Sequence, residues 1–412
     1  MRHSTDTEST TAGQRRTCAL NRLTGRPAPF SLLVAITACG TIGMHLVVPA
    51  LPATADALSV SPATIQLTIT LYIAGLAIGQ LLYGPVSDRF GRRPVLLAGL
   101  ALFTVAGIAA TASTSATTLI VSRILQAVGG CAGLVLGRAI VRDSASADRA
   151  AARLALLTLV MSLAPAIAPA IGGYAVTWAG WRSAFALLAL IGVVTTLLTA
   201  LWLPETNAPA ASRGRVPLLL SSVRLLRSPA FCGFSLGGAC TTTSFYAFMA
   251  ASPFIFEDVL HQSTERIGLY YLLLMLGLAA GGFTANRLAG RVAISRVLPL
   301  ANALAMLGAA WFLLAWQTGH FGVVVAIASV ALFMMGAGIA SPFALTAAVS
   351  VNPQAIGAAS GLYGFIQMSY GALCTIVVEA FDSASVTAVG LVMLGSALGG
   401  QIALSFGLRA RR

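Results

Sequence analysis

The 412-residue chain contains no lysine, and its 12 acidic side chains stand against 25 basic ones, all arginine. Charged residues make up 9% of it, where an ordinary soluble domain carries about 25%. That is too little charge to clothe a water-facing surface. The four histidines, His3, His45, His261 and His320, are dispersed, and the six cysteines (Cys18, Cys39, Cys131, Cys232, Cys240 and Cys374) show no CxxC spacing. Neither a metal site nor a disulfide framework is indicated. A membrane-embedded enzyme, which needs clustered His or acidic residues near the interface, is a remote reading. No GxxxxGK[ST] loop is present, so ATP does not drive the protein. The net charge of +13 would suggest nucleic acid if the arginines shared one soluble face, but they sit at the ends of apolar runs.

What the chain has is apolar length. Hydrophobic residues are 57% of it and the mean hydropathy is +0.87, the composition of a polytopic membrane protein. A spanning helix needs about 20 apolar residues. Twelve such runs lie near 30–51, 63–86, 95–112, 117–139, 153–177, 183–203, 230–252, 267–286, 297–316, 321–345, 354–378 and 385–407. The first resembles a signal peptide in having arginines before it, yet it is longer than a typical signal core and more spans follow, so it reads as uncleaved. The polar stretch 204–229 separates a six-helix half at 29–203 from another at 230–407, with tails at 1–28 and 408–412.

Arginine placement orients these spans, because cytoplasmic loops are enriched in Lys and Arg. With both termini inside, Arg182 and Arg266 are the arginines left in outer loops and Arg123 lies within a span, while Asp56, Glu257, Asp258, Glu265 and Asp382 fall outside. The two halves also echo each other. Gly84, Asp88, Arg89, Gly91 and Arg92 after the second span correspond to Gly282, Asn286, Arg287, Gly290 and Arg291 after the eighth. Internal duplication is a transporter signature, with a substrate site expected near the midplane between the halves.

The loop GPVSDRFGRRP at Gly84–Pro94 resembles that of the major facilitator superfamily. Its context, with RILQAVGG and PAIAPAIGG further on, resembles the twelve-span drug:proton antiporters of the bicyclomycin/chloramphenicol-resistance (Bcr/CflA) type. The resemblance implies an all-α membrane protein of twelve helices in two pseudo-symmetric six-helix bundles. It also implies that Asp88 faces the start of the eleventh helix at Asn352-Pro353-Gln354, whose free N–H groups favour an anion. Gly84, Asp88, Arg89 and Arg92, with Arg142 as a further charge partner, would then latch the halves together. Arg123 in RILQ is assigned a part in proton coupling, with Gln126 one turn deeper on the same face. Pro165, Pro169, Gly172 and Gly173 form the kinked antiporter pattern of the fifth helix, with alanine where the common form has an earlier glycine.

In the first span His45 stands where such proteins often carry an acid. Its imidazole, with an ordinary pKa near 6.5, is a candidate proton carrier. Tyr72, Gln126, Tyr246 and Gln367 are candidate substrate contacts, since aromatic and amide groups suit varied ligands. Glu379, near the outer end of the eleventh helix, is expected in solvent.

The expectation is a monomeric exporter of small amphiphilic compounds or drugs, in the bacterial inner membrane, that exchanges them for protons by alternating access. It needs no cofactor beyond the coupling proton, and its partners are a small-molecule substrate and the lipid bilayer, not nucleic acid. The rival is a proton-coupled transporter of a native metabolite such as an amino acid or sugar. A passive channel is disfavoured because duplicated halves suit rocking.

Overall fold

The computed structural model describes residues 29–144, 147–206, 218–352, 356–381 and 385–411. The expected tail at 1–28 lies outside them, as do Arg213 and Arg215 of the connecting stretch, Pro353, Gln354 and Asp382. Among the described residues ten helices are long and apolar enough to cross a membrane, and Ala147–Ala179 and the two-part Pro229–Thr243 with Phe245–Phe254 stand in the other two places expected. In the first half these are α1 (Phe30–Leu58), α2 (Pro62–Phe90), α3 (Arg92–Thr111), α4 (Ala116–Asp143), α5 (Ala147–Ala179) and α6 (Arg182–Trp202). In the second half, α7 is Pro229–Thr243 continued after Ser244 by Phe245–Phe254. It is followed by α8 (Thr264–Leu288), α9 (Ile294–Gln317), α10 (Val323–Val349), α11 (Ile356–Glu379) and α12 (Val386–Ala410). A short helix, Leu218–Leu226, lies in the stretch read from sequence as a linker.

Local chemistry sets the helix ends. Ser61, Ser115, Ser228 and Ser385 each accept a hydrogen bond from a backbone N–H three residues on, and proline follows at Pro62 and Pro229, where its missing N–H costs nothing. The first span is longer than the expected 30–51. It is helical to His45, tightens into a 3-10 turn at Val48–Ala50 and resumes over Leu51–Leu58. Pro49 and Pro52 occupy opening positions of these new segments, so they redirect the helix instead of ending it.

The sequence echo is visible in the backbone. Gly91, just after α2, has φ 98° and Gly290, just after α8, has φ 73°, a region that favours glycine. Each half thus carries a positive-φ glycine within two residues of that helix end.

Within the first half, α4 packs on α1, α2 and α3, and α6 on α3; within the second, α10 packs on α7, α8 and α9, and α12 on α7 and α9. The halves meet along two pairs of helices, α2 with α11 and α5 with α8. Large apolar side chains such as Val105, Leu276, Leu300 and Ile402 point outward, as a lipid-facing wall requires.

Candidate functional site

Between the halves lies a cavity of about 2270 Å³. Thr41, Met44 and His45 of α1 line it, together with Gln80 of α2, Tyr246 of α7 and Gln367 of α11. It also reaches Asp88, Arg142, Arg224, Gly290, Arg291 and Asn352, so it opens at the arginine-rich end of the bundle. The other end is sealed by direct packing. A Cβ on Gly172 would sit 1.9 Å from the Leu46 carbonyl oxygen, and one on Gly268 would sit 2.7 Å from that of Pro169. Pro169, Gly172 and Gly173 of the antiporter pattern thus lie where α5 meets α1 and α8, while Pro165 lines the cavity.

His45 is buried in the cavity wall, and its Nδ1 lies 2.9 Å from the Thr41 carbonyl oxygen. A carbonyl has no proton to give, so Nδ1 carries the hydrogen and Nε2 carries the lone pair. Among the expected cargo contacts, Tyr246 and Gln367 line the cavity, the latter donating from Nε2 to the Thr242 hydroxyl at 2.7 Å.

The other expected contacts are placed elsewhere. Tyr72 and Gln126 are fully buried inside the first half and do not line the cavity; instead they hold Arg123. The Arg123 guanidinium donates to Gln126 Oε1 at 2.6 Å and lies over the Tyr72 ring, whose hydroxyl donates to the Gly40 carbonyl at 2.9 Å. Arg123 itself has no exposed surface and does not line the cavity in this conformation. Aromatic faces and a neutral amide stand in for the anion it lacks.

At the cavity mouth Arg92, one of the residues expected to latch the halves, gathers groups of the first half. Its guanidinium lies 2.7 Å from Asp88 and 3.1 Å from Asp143, and it donates to the Ser87 hydroxyl at 2.5 Å. Asp88 thus pairs with Arg92, one turn along the chain, while Arg142 is exposed at the rim. Arg89 is also exposed and lies over the Phe90 ring. Of the start of α11 that Asp88 is expected to face, Asn352 lines the cavity and Pro353 and Gln354 lie outside the described residues.

Three groups escaped the sequence reading. Asp143 is the second acid on Arg92. Glu205, just past α6, accepts from the backbone N–H of Arg92 at 2.9 Å and of Arg93 at 3.1 Å, satisfying donors that the start of α3 leaves open. A Cβ on Gly91 would come 2.6 Å from Glu205 Oε2, so this cap requires glycine twice over, for its φ and for its lack of a side chain. The available signal was that these acids lie on the arginine-rich side, against the general trend. Arg138 is the third: it is exposed to the cavity from α4, one turn inside Arg142. Glu379 corrects another expectation. It is partly buried and hydrogen-bonded to Thr70 of α2 across the two halves.

Residues 33–375 match the family model described as Major Facilitator Superfamily. An uncharacterized MFS-type transporter, YdgK, of Bacillus subtilis (strain 168) is 30% identical over 388 residues, covering 92% of this chain and 95% of that protein. A bicyclomycin resistance protein homolog of Haemophilus influenzae is 26% identical, covering 80% of this chain and 83% of that protein. Among solved structures, a bacterial homolog of the human lysosomal transporter Spinster, in an inward-facing and occupied conformation, superposes with a TM-score of 0.71 at 15% identity, covering 93% of this chain and 96% of that one.

Proposed function

The chain belongs to the Major Facilitator Superfamily, and on that premise we propose that this multi-pass membrane transporter exports small amphiphilic compounds or drugs in exchange for protons. The observation that carries the reading is the cavity itself, open at the arginine-rich end, sealed at the other and walled by His45 beside Tyr246 and Gln367. The positive-inside rule makes the open end cytoplasmic, with both termini there and the protein in the inner membrane. The conformation is then inward-facing, the state in which an exporter collects cargo.

Alternating access follows as rocking of the two halves about the α2–α11 and α5–α8 contacts. His45 is the proton carrier, taking a proton at Nε2 and giving it up as cargo displaces it. Arg123 acts from behind the wall, as a fixed positive charge that biases α4 against a second charge nearby. The Arg92 cluster, with Asp88, governs switching. Drug-resistance names among the relatives support export of drugs, and the apolar, aromatic wall supports amphiphilic cargo. One proton descending ~150 mV supplies about 3.5 kcal/mol, enough for a gradient of several hundredfold. No cofactor beyond the proton is called for, and the chain works as a monomer.

The test is expression in a pump-deficient host, scored for growth against a panel of antibiotics and dyes. Proton release from energised vesicles on adding any hit identifies antiport. Accumulation of an amino acid or sugar, with no drug protected against, would favour the metabolite reading.

A further inference from the structure

The sealed end contains one line of polar contacts that crosses between the halves. The Thr375 hydroxyl lies 2.7 Å from the Ala372 carbonyl oxygen within α11 and 2.8 Å from the Thr70 hydroxyl of α2. The Thr70 hydroxyl in turn meets Oε1 of Glu379, the last residue of α11. Thr70 and Thr375 are both fully or almost fully buried.

Proton counting decides the state of the carboxyl. Three oxygen–oxygen contacts at hydrogen-bonding range each require one hydrogen. The carbonyl supplies none and the two hydroxyls supply one each. With Thr375 donating to Ala372 and Thr70 donating to Thr375, the hydrogen between Thr70 and Glu379 must be the acid's own. The opposite assignment, with Thr70 donating to an ionised Glu379, withdraws a hydrogen from one of the other two contacts. It also leaves a partly buried carboxylate with no cation on it, which is costly.

Among the described residues no other charge intervenes; Asp382, three residues on, lies outside them. Glu379 is the sole Asp, Glu, Arg or His of α11, and α2 has none before Asp88. The remaining titratable side chains of α11 are turned to other partners: Tyr370 donates to Ser396, beside which Cys374 also lies, and Tyr363 packs by Gly238 of α7. On α2, Tyr72 donates to Gly40 and Tyr83 lies by Gly99 of α3. At this end Asp56, near the end of α1, and Asp258, just past α7, act on Glu257.

We propose that Glu379 is a proton-binding site of the sealed end, whose neutral carboxyl donates to Thr70 and so ties α11 to α2. The step balances simply. As that end opens, the carboxyl O–H bond breaks, the proton passes to water at that face and the carboxylate becomes hydrated; closing takes one proton back from the same water. Acid therefore favours the sealed state, and the tie weakens as the pH rises. The inference rests on alternating access as proposed above and adds a second proton group to it, on the opposite half from His45. Because the sealed end faces outward in that reading, an acidic exterior would hold the transporter ready to receive cargo from within.

Two measurements on the full chain in lipid test this. Infrared spectroscopy at neutral pH should show a protonated-carboxyl C=O band that disappears in Glu379→Gln and survives in Asp56→Asn, a change at an exposed acid. Spin labels at positions 61 and 318, exposed on opposite halves at the sealed end, with Cys18 and Cys232 replaced, should report a closed-to-open ratio that falls with rising pH by up to about tenfold per pH unit. Glutamine keeps a neutral donor, so Glu379→Gln should stay closed at every pH, and Thr70→Val should open more readily than Thr70→Ser. The proposal is overturned if Glu379→Gln leaves the band in place, or if the pH dependence of the ratio persists in that variant. An intact band and pH-dependent ratio without drug efflux would count against the exporter reading alone; efflux without either would count against Glu379 alone.

Discussion

The guanidinium carbon of Arg123 lies 4.0 Å from the centre of the Tyr72 ring, with both side chains fully buried. A desolvated cation over an aromatic face gains about 2 kcal/mol, which offsets only part of the several kcal/mol needed to strip an arginine of water. Two of its nitrogens, Nε and Nη2, have no hydrogen-bond partner. Such a group is retained at a cost to stability. Arg123→Met should raise the melting temperature of the purified protein while abolishing proton-coupled efflux. A lower melting temperature, or efflux at the wild-type rate, would remove Arg123 from the mechanism.

Gly172 makes the sealed end possible. Any side chain there meets the Leu46 carbonyl, which is backbone and cannot swing away. Gly172→Val should therefore disfavour sealing, stop transport and increase labelling of a cysteine placed at Thr264, near Gly173 across the α5–α8 contact. Unchanged labelling with normal transport would show that α1 and α5 separate at no cost.

Arg92 holds Asp88, Asp143 and Ser87 through separate nitrogens. Lysine offers one point charge and cannot reproduce that fork. Arg92→Lys and Asp88→Asn should each lower efflux several-fold at equal expression, with membrane insertion intact. Equal rates in either variant would reduce the cluster to a topology signal.

With the Nδ1 hydrogen committed to Thr41, His45 can exchange a proton only at Nε2. His45→Ala should abolish drug-induced proton release in vesicles. It should still bind cargo, because Tyr246, Gln367 and the apolar wall remain. Transport driven by a pH gradient in this variant would refute the assignment.

Outside the spans, burial, then the Asp258 and Asp56 carboxylates, hold the Glu257 carboxyl above the usual range. Its ionised form is disfavoured in the folded protein. The destabilisation is complete above the folded pKa and fades as the pH falls through it towards the unfolded value. Glu257→Gln should raise thermal stability at neutral pH, and the gain should vanish in acid. A pH-independent gain would indicate a packing effect instead.

The fold was largely legible because lipid imposes a coarse rule, long apolar runs ended by arginine, and because glycine must recur where the chain turns left-handed, as at Gly91 and Gly290. That His45 and Gln367 lie in the cavity wall was also legible, each being a polar group in an apolar stripe. Tyr72 and Gln126 were misplaced because helical spacing gives a face without saying whether it looks into the cavity or into its own half. Arg138 was hidden among the arginines of the helix end. Glu379 was missed because its partner, Thr70, lies 309 residues away, a pairing no local pattern encodes.

Glu205 has a consequence for how the polypeptide can be divided. The carboxylate that caps α3 belongs to the last few residues before the two halves are joined, so Asp88, Arg92, Asp143 and Glu205 all fall on one side of a break after Thr206. A gene cut there would encode a first fragment already holding the whole Arg92 cluster, and complementation by two separately made fragments would need no covalent bridge to rebuild it.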